Sequence, residues 1–194
     1  GGDVQSRVAD NLFWLGRSTG RLDNSARLIR GALSRLARQP LGPRDLVEVR
    51  LLALASAEAR LISEQDALSP PDSVALLRAL TRFAVDDRAF GAALRAISRL
   101  VMKLRDRLSA DMSGTLDTLL GSMSRRLASS TSNVDVLLAL LDDTIRMVAT
   151  VAGLSQENMT RGAGWRFLDL GRRLERAHYV CSGAHFAFTQ SPVI

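Results

Sequence analysis

The sequence predicts an all-α fold, a single bundle of about seven helices, and three observations lead there. Leu and Ala dominate the apolar residues, which make up 46% of the chain while aromatics supply 5%, a balance that favours helices over strands. Apolar positions recur at spacings of three and four through long stretches, and no alternating β-rich segment occurs. The breaks between these stretches are short and sharp, with prolines clustered at Pro40/Pro43 and at Pro70/Pro71.

Residues 4–37 read as one long helix with an inward stripe of Val8, Leu12, Leu15, Leu22, Ala26, Ile29 and Leu33. The run Gln39-Pro40-Leu41-Gly42-Pro43 ends it. A second helix is expected over 44–67, with Leu46, Val49, Leu52, Ala53, Ala57 and Leu61 facing inward. Ser69-Pro70-Pro71-Asp72 breaks the chain again, and Ser73 is placed to cap a short third helix through Phe83. Asp86-Asp87 puts acids at the positive end of a fourth helix, over 88–108. Ser109–Asp111 separates a fifth, over 112–128, and the polar run 129–133 supplies caps for a sixth, over 134–154. A polar turn, 156–164, leads into the last helix, 165–188. Its stripe of Phe167, Leu170, Leu174, Ala177 and Cys181 is expected to face the core.

A repeated phrase links the two ends of this bundle. Leu15-Gly16-Arg17-Ser18-Thr19-Gly20-Arg21 returns as Leu170-Gly171-Arg172-Arg173-Leu174-Glu175-Arg176. Each copy carries Gly-Arg-x-x-x-Arg, and arginines four apart share one helix face. Each has an aromatic lead-in, Phe13 and Trp14 or Trp165 and Phe167. Glycine costs about 1 kcal/mol in a helix interior, so Gly16, Gly20 and Gly171 need a reason to be there, and close backbone approach supplies one. The first and last helices are therefore expected to pack together, with Gly16 or Gly171 near their contact.

Two readings of the arginines stand side by side. In one, Arg17, Arg21, Arg172 and Arg176 pair with Asp10, Asp23, Asp169 and Glu175 and fix the register of the bundle, Arg176 reaching Asp10 or Asp23. In the other they converge with Trp14 and Trp165 on a cleft that holds an anion, a phosphate or a substrate carboxylate. Glu175 is the one carboxylate within the repeated phrase and the only candidate for acid or base work, although ion pairing is the simpler role.

Other chemistry is weakly represented. There is no phosphate loop after a strand, no zinc-binding histidine pair and no cysteine cluster, so no metal or cofactor is expected. His178 and His185 are too few for a metal site, and Cys181 reads as a small core residue. A lone cysteine makes no internal disulfide, which points to a reducing cytoplasm. No apolar run reaches the roughly 18 residues of a membrane helix. The net charge of +6 and pI near 11.0 invite a nucleic-acid reading. Against it, Lys103 is the only lysine among 26 basic residues, a bias typical of GC-rich coding, and the arginines are interleaved with acids as on solvated helix faces.

The strings Asn11–Arg17 and Trp165–Ala177 resemble the Alpha-E domain, a bacterial all-helical domain named for its Glu-Arg motif, here Glu175-Arg176. Arg105–Ser109 and Leu154–Arg161 resemble further segments of it, so the likeness covers nearly the whole chain. It departs at Gly20-Arg21, where the family usually has Glu-Arg, and at Leu22-Asp23-Asn24, where Ala-Glu-Asn is common. The resemblance implies a single domain over 1–194. Complete members continue past the second motif, leaving an excised domain, a truncated one or a compact variant as the alternatives. It also implies a context: such domains occur beside, or fused to, circularly permuted ATP-grasp proteins, often near transglutaminase-like and peptidase genes. ATP-grasp enzymes activate carboxylates as acyl phosphates and join them to amines. The implied role is thus a non-catalytic helical accessory module that docks on the ligase or on its acceptor peptide, any catalysis belonging to the ligase. The alternative is an enzyme acting on a peptide or acidic substrate through the Arg/Glu cleft, with a nucleic-acid binder third.

Overall fold

The Leu stripe of the first helix is the axis about which the chain closes. In the computed structural model, which describes residues 5–38, 40–68, 73–86, 90–129, 133–159 and 162–190, Leu12, Leu15, Leu22, Ala26, Ile29 and Leu33 are all buried. They lie on α1 (Ser6–Leu36), the longest element, which packs against α8 (Ala163–Gln190) most extensively and then against α7 (Val134–Asn158), α2 (Pro43–Glu58) and α5 (Phe90–Lys103). The short α3 (Glu64–Leu68) and α4 (Ser73–Val85) continue from α2, and α6 (Ala110–Ser129) packs on α5 and α7. All regular structure among the described residues is helical. No described helix is long and apolar enough to cross a membrane.

Local chemistry explains where these elements start and stop. Pro43 occupies the first turn of α2, where its missing N–H costs nothing, and Asp45 accepts a hydrogen bond from the Gly42 amide at 2.8 Å. Ser109 caps α6 by accepting from the Met112 amide at 3.1 Å, and Asn133 caps α7 by accepting from the Asp135 amide at 2.9 Å.

The predicted second helix is in fact two. Arg60 takes a left-handed conformation, φ 57°, with its amide bonded to the Ala57 carbonyl and the Leu61 amide bonded to the Ser56 carbonyl. That pair of bonds is a Schellman cap, normally marked by glycine. Buried Leu61 anchors the far side of the cap, and α3 begins three residues later, which raises the helix count to eight among the described residues. The expected fourth helix is also shorter. It ends at Lys103, and the chain passes through tight turns to Leu108 while Leu104 and Leu108 stay buried. The acids proposed to open it lie partly outside the described residues, as do positions 130–132 of the polar loop and 160–161 of the following turn.

Glycines decide how α1 and α8 meet. A Cβ placed on Gly16 would overlap the Leu168 carbonyl oxygen and stand 3.0 Å from the Arg172 nitrogen. A Cβ placed on Gly171 would overlap the Phe13 carbonyl oxygen and stand 3.0 Å from the Arg17 nitrogen. These two sets of neighbours are the same set displaced by the interval of the sequence repeat. The repeat is therefore a local pseudo-two-fold, and the hydrogen each glycine carries instead of Cβ points at the facing carbonyl. Farther along, Gly164 faces Leu12 and Gly20 faces Glu175, so the two helices run in the same direction. None of the described glycines has positive φ, and what these two provide is backbone proximity.

Alanine normally stabilises a helix interior over glycine by about 1 kcal/mol. Gly153→Ala, where a Cβ would meet nothing, is expected to follow that rule and raise the melting temperature. Gly16→Ala and Gly171→Ala are expected to reverse it, each losing about 1–3 kcal/mol as the backbones are forced apart. Urea unfolding of the three variants checks this; equal gains at all three positions would contradict the close approach.

Candidate functional site

The crossing brings the two copies of the repeat side by side, and among the described residues only Arg17 and Arg21, of the four Gly-Arg-x-x-x-Arg arginines, find a carboxylate. Glu175 is 5% exposed, at the centre of α8's contact face. Arg17 donates from Nε to its Oε2 at 2.6 Å, and Arg21 donates from Nε to Oε1 at 3.2 Å and from Nη2 to Oε2 at 3.4 Å. One carboxylate is thus clasped by two guanidiniums of the neighbouring helix. Arg17 is itself half-buried, with its guanidinium carbon 5.8 Å from the Trp14 ring centroid, within cation–π range. Phe13 meets Trp14 edge to face, with centroids 5.7 Å apart.

Burial pushes the Glu175 carboxyl upward, but hydrogen bonds and charge from Arg21 and Arg17 outweigh it and hold the group below its ordinary value. A carboxylate kept ionised in this way and filled by two donors is poorly placed to give or take a proton at neutral pH. The arrangement instead ties α1 to α8.

The other candidates are placed differently. Arg172 is half-buried and Arg176 exposed, and among the described residues neither has an ionic or hydrogen-bonded partner. The expected reach of Arg176 to Asp10 or Asp23 is not made: Asp23 pairs with Arg27 at 2.9 Å, within α1, and Asp10 is exposed. Asp169 pairs with Arg173 at 2.6 Å, within α8. Trp14 is exposed and Trp165 half-buried. His178 and His185 are exposed, and no group of three or more metal-ligating side chains occurs among the described residues.

The largest correction concerns the apolar stripe of α8. Phe167, Leu170, Leu174, Ala177 and Cys181 are exposed, Leu170 by 52%, and Phe188 farther along the same stripe by 82%. The helix instead turns Leu168, Gly171 and Glu175 toward α1. Periodicity locates the apolar face, whereas a separate, glycine-centred face makes the tight contact. The signal that could have separated them is the match of Gly171 to Gly16.

A family model described as "A predicted alpha-helical domain with a conserved ER motif", Alpha-E, matches residues 4–192. Among curated proteins, the chain is similar to "Uncharacterized protein Mb2597" of Mycobacterium bovis and to "Uncharacterized protein MT2643" and "Uncharacterized protein Rv2567" of Mycobacterium tuberculosis. Each is 26% identical over 187 residues, covering 90% of this chain and 21% of the relative. The chain thus spans about a fifth of the length of these relatives. No solved structure matches it.

Because the folded-state pKa of Glu175 is depressed, the clasp contributes fully above the unfolded value of about 4.3 and is lost as pH falls through the lower folded value. Glu175→Gln is expected to cost about 1.5–3 kcal/mol at pH 7, the range for hydrogen bonds to charged groups, most of it through Arg17 because Arg21 is 62% exposed and screened. The gap between variant and parent should close in acid. Melting curves from pH 7 to pH 3 test this, and a gap that stays constant would remove the clasp as its source.

Proposed function

The chain belongs to the Alpha-E family, and from that premise we propose that it serves as a non-catalytic helical module of a cytoplasmic ATP-grasp ligase system, docking on the ligase through the bare face of α8. One observation carries this reading. The stripe Phe167, Leu170, Leu174, Ala177, Cys181 and Phe188 is the repeat-equivalent of Leu12, Leu15, Thr19, Leu22, Ala26 and Leu33 on α1. The α1 set is buried in the core under the neighbouring helices, whereas the α8 set is exposed. A row of Phe and Leu along one helix face, about 100° around from the face that packs, has the character of an interaction surface. Its shape suits a helical partner, because helices cover the equivalent stripe on α1. In the three mycobacterial relatives the matching region is a fifth of a much longer polypeptide, so a fold of this kind has further chain beside it to dock against.

The state of Glu175 favours this reading over an enzyme in its own right. The only carboxylate of the repeated motif is engaged by Arg17 and Arg21 and is held ionised. An acceptor peptide is the second contact we propose for the same module.

Co-expression of the chain with a circularly permuted ATP-grasp ligase, followed by gel filtration, tests the proposal. The parent is expected to co-elute with the ligase. Leu170→Glu with Leu174→Glu is expected to abolish co-elution while changing the stability of the isolated chain by no more than about 1 kcal/mol, since both side chains are exposed. The isolated chain is expected to turn over no ATP. Co-elution that survives the double substitution, a parent that never co-elutes, or self-association through this stripe would each overturn the proposal.

A further inference from the structure

Within the repeated Gly-Arg-x-x-x-Arg, the two-fold between α1 and α8 is obeyed by the backbone and broken where Gly20 stands across from Glu175. Position 175 on α8 is the equivalent of position 20 on α1, and Arg172 and Arg176 are the equivalents of Arg17 and Arg21. On one flank of the helix pair, Arg17 and Arg21 of α1 close on Glu175 of α8. By the same two-fold, Arg172 and Arg176 of α8 are rooted on the other flank, across from Gly20, which has no side chain to offer. The helices are less tightly apposed there than at Gly16: a Cβ on Gly20 would lie 3.2 Å from the Glu175 Cβ, 3.5 Å from its Cγ and 3.8 Å from the Arg172 carbonyl oxygen. Half-buried Arg172 and exposed Arg176 have no ionic partner among the described residues, and Gly20 is itself half-buried rather than sealed.

We propose that Arg172 and Arg176 are the donors of a carboxylate site whose anion comes from outside the chain and stands to them, on the flank of Gly20, as the Glu175 carboxylate stands to Arg17 and Arg21. The twin clasp defines the ligand chemistry. Two guanidiniums one turn apart share the two oxygens of one planar carboxylate, at 2.6 Å and 3.2 Å. The same backbone geometry presents the same two donors on the opposite flank. The Glu175 stem lies against the place of a Cβ at position 20, so an external carboxylate would reach Arg172 and Arg176 from the solvent side. This flank is distinct from the outward apolar stripe, so the site stands whether or not that stripe docks a ligase.

The experiment uses the chain alone. A fluorescein-labelled triglutamyl peptide, followed by anisotropy at low salt, is expected to bind the parent. Arg172→Ala with Arg176→Ala should weaken it at least tenfold. Arg173→Ala, which removes an exposed charge from the same helix outside the site, should change affinity less than twofold. Gly20→Glu should also cost at least tenfold, because the chain then fills its own site. It should melt higher than Gly20→Ala, a difference that disappears when Arg172 and Arg176 are both alanine. Competition identifies the source of the carboxylate. Displacement by glutarate means that a free small acid suffices, and displacement by unlabelled peptide alone means that the carboxylate arrives on a chain. Absence of peptide binding, equal losses from Arg173→Ala and the Arg172/Arg176 pair, no melting gain of Gly20→Glu over Gly20→Ala, or displacement by inorganic phosphate at lower concentration than glutarate would each overturn the assignment.

Discussion

Two backbones touch where Gly16 meets Leu168 and Gly171 meets Phe13, and the geometry of the candidate site follows from that contact. Any side chain at either glycine would collide with main-chain atoms, which cannot swing aside as a flexible side chain does. The contact therefore fixes distance, direction and register together. With the register set, Glu175 falls between Arg17 and Arg21. A sliding of α8 by one residue would turn it about 100° around its axis and remove the carboxylate from both arginines. The ion pairs confirm a register that the glycines impose, in keeping with the modest net worth of such pairs against their desolvation.

Parallel neighbours cannot be joined by a short loop, so the chain makes its return through α2 to α7 before α8 can lie beside α1. Those intervening helices cover one partner of the pair and leave the other. α1 is enclosed by α2, α5 and α7 as well as α8, whereas α8 leans on α1 with only slight contact to α2. The result is a symmetric core pair in asymmetric surroundings. One apolar stripe is buried and its equivalent exposed, and one arginine pair has a carboxylate while its equivalent is rooted across from a glycine. Both candidate interaction features are places where the local symmetry is not satisfied within the described chain.

The helices were legible because Leu and Ala recur at helical spacing, and the pairing of the first and last helices was legible in the repeated Gly-Arg-x-x-x-Arg. What periodicity cannot convey is what lies opposite a face. The stripe from Phe167 to Cys181 has the apolar pattern of a core face and is exposed, because an apolar face states a preference and supplies no partner. The break at Arg60 escaped because a left-handed cap ordinarily shows itself by glycine, and here the bonds from Arg60 and Leu61 hold an arginine in that conformation. The arginines were legible as a class and not as individuals. Spacing places Arg17 and Arg172 alike, and only the identity of the residue across the crossing, Glu175 or Gly20, distinguishes a satisfied pair from an open one.

That distinction also bears on the Glu-Arg motif itself. Its two residues point to different physical roles despite being adjacent. Glu175 lies on the contact face and is neutralised from across the interface, so its chemistry is spent on holding α1 and α8 together. Arg176 is one position on, about 100° around the helix, exposed and without a partner among the described residues. An arginine with only a structural role would need an acceptor, and the acceptors nearest in sequence are engaged elsewhere: Glu175 with Arg17 and Arg21, and Asp169 with Arg173. The motif thus joins an internal anchor to an outward-facing cation on a single turn of helix. The buried half orders the backbone from which Arg176 projects, so less conformational freedom is lost when its guanidinium meets an anion than on a mobile segment.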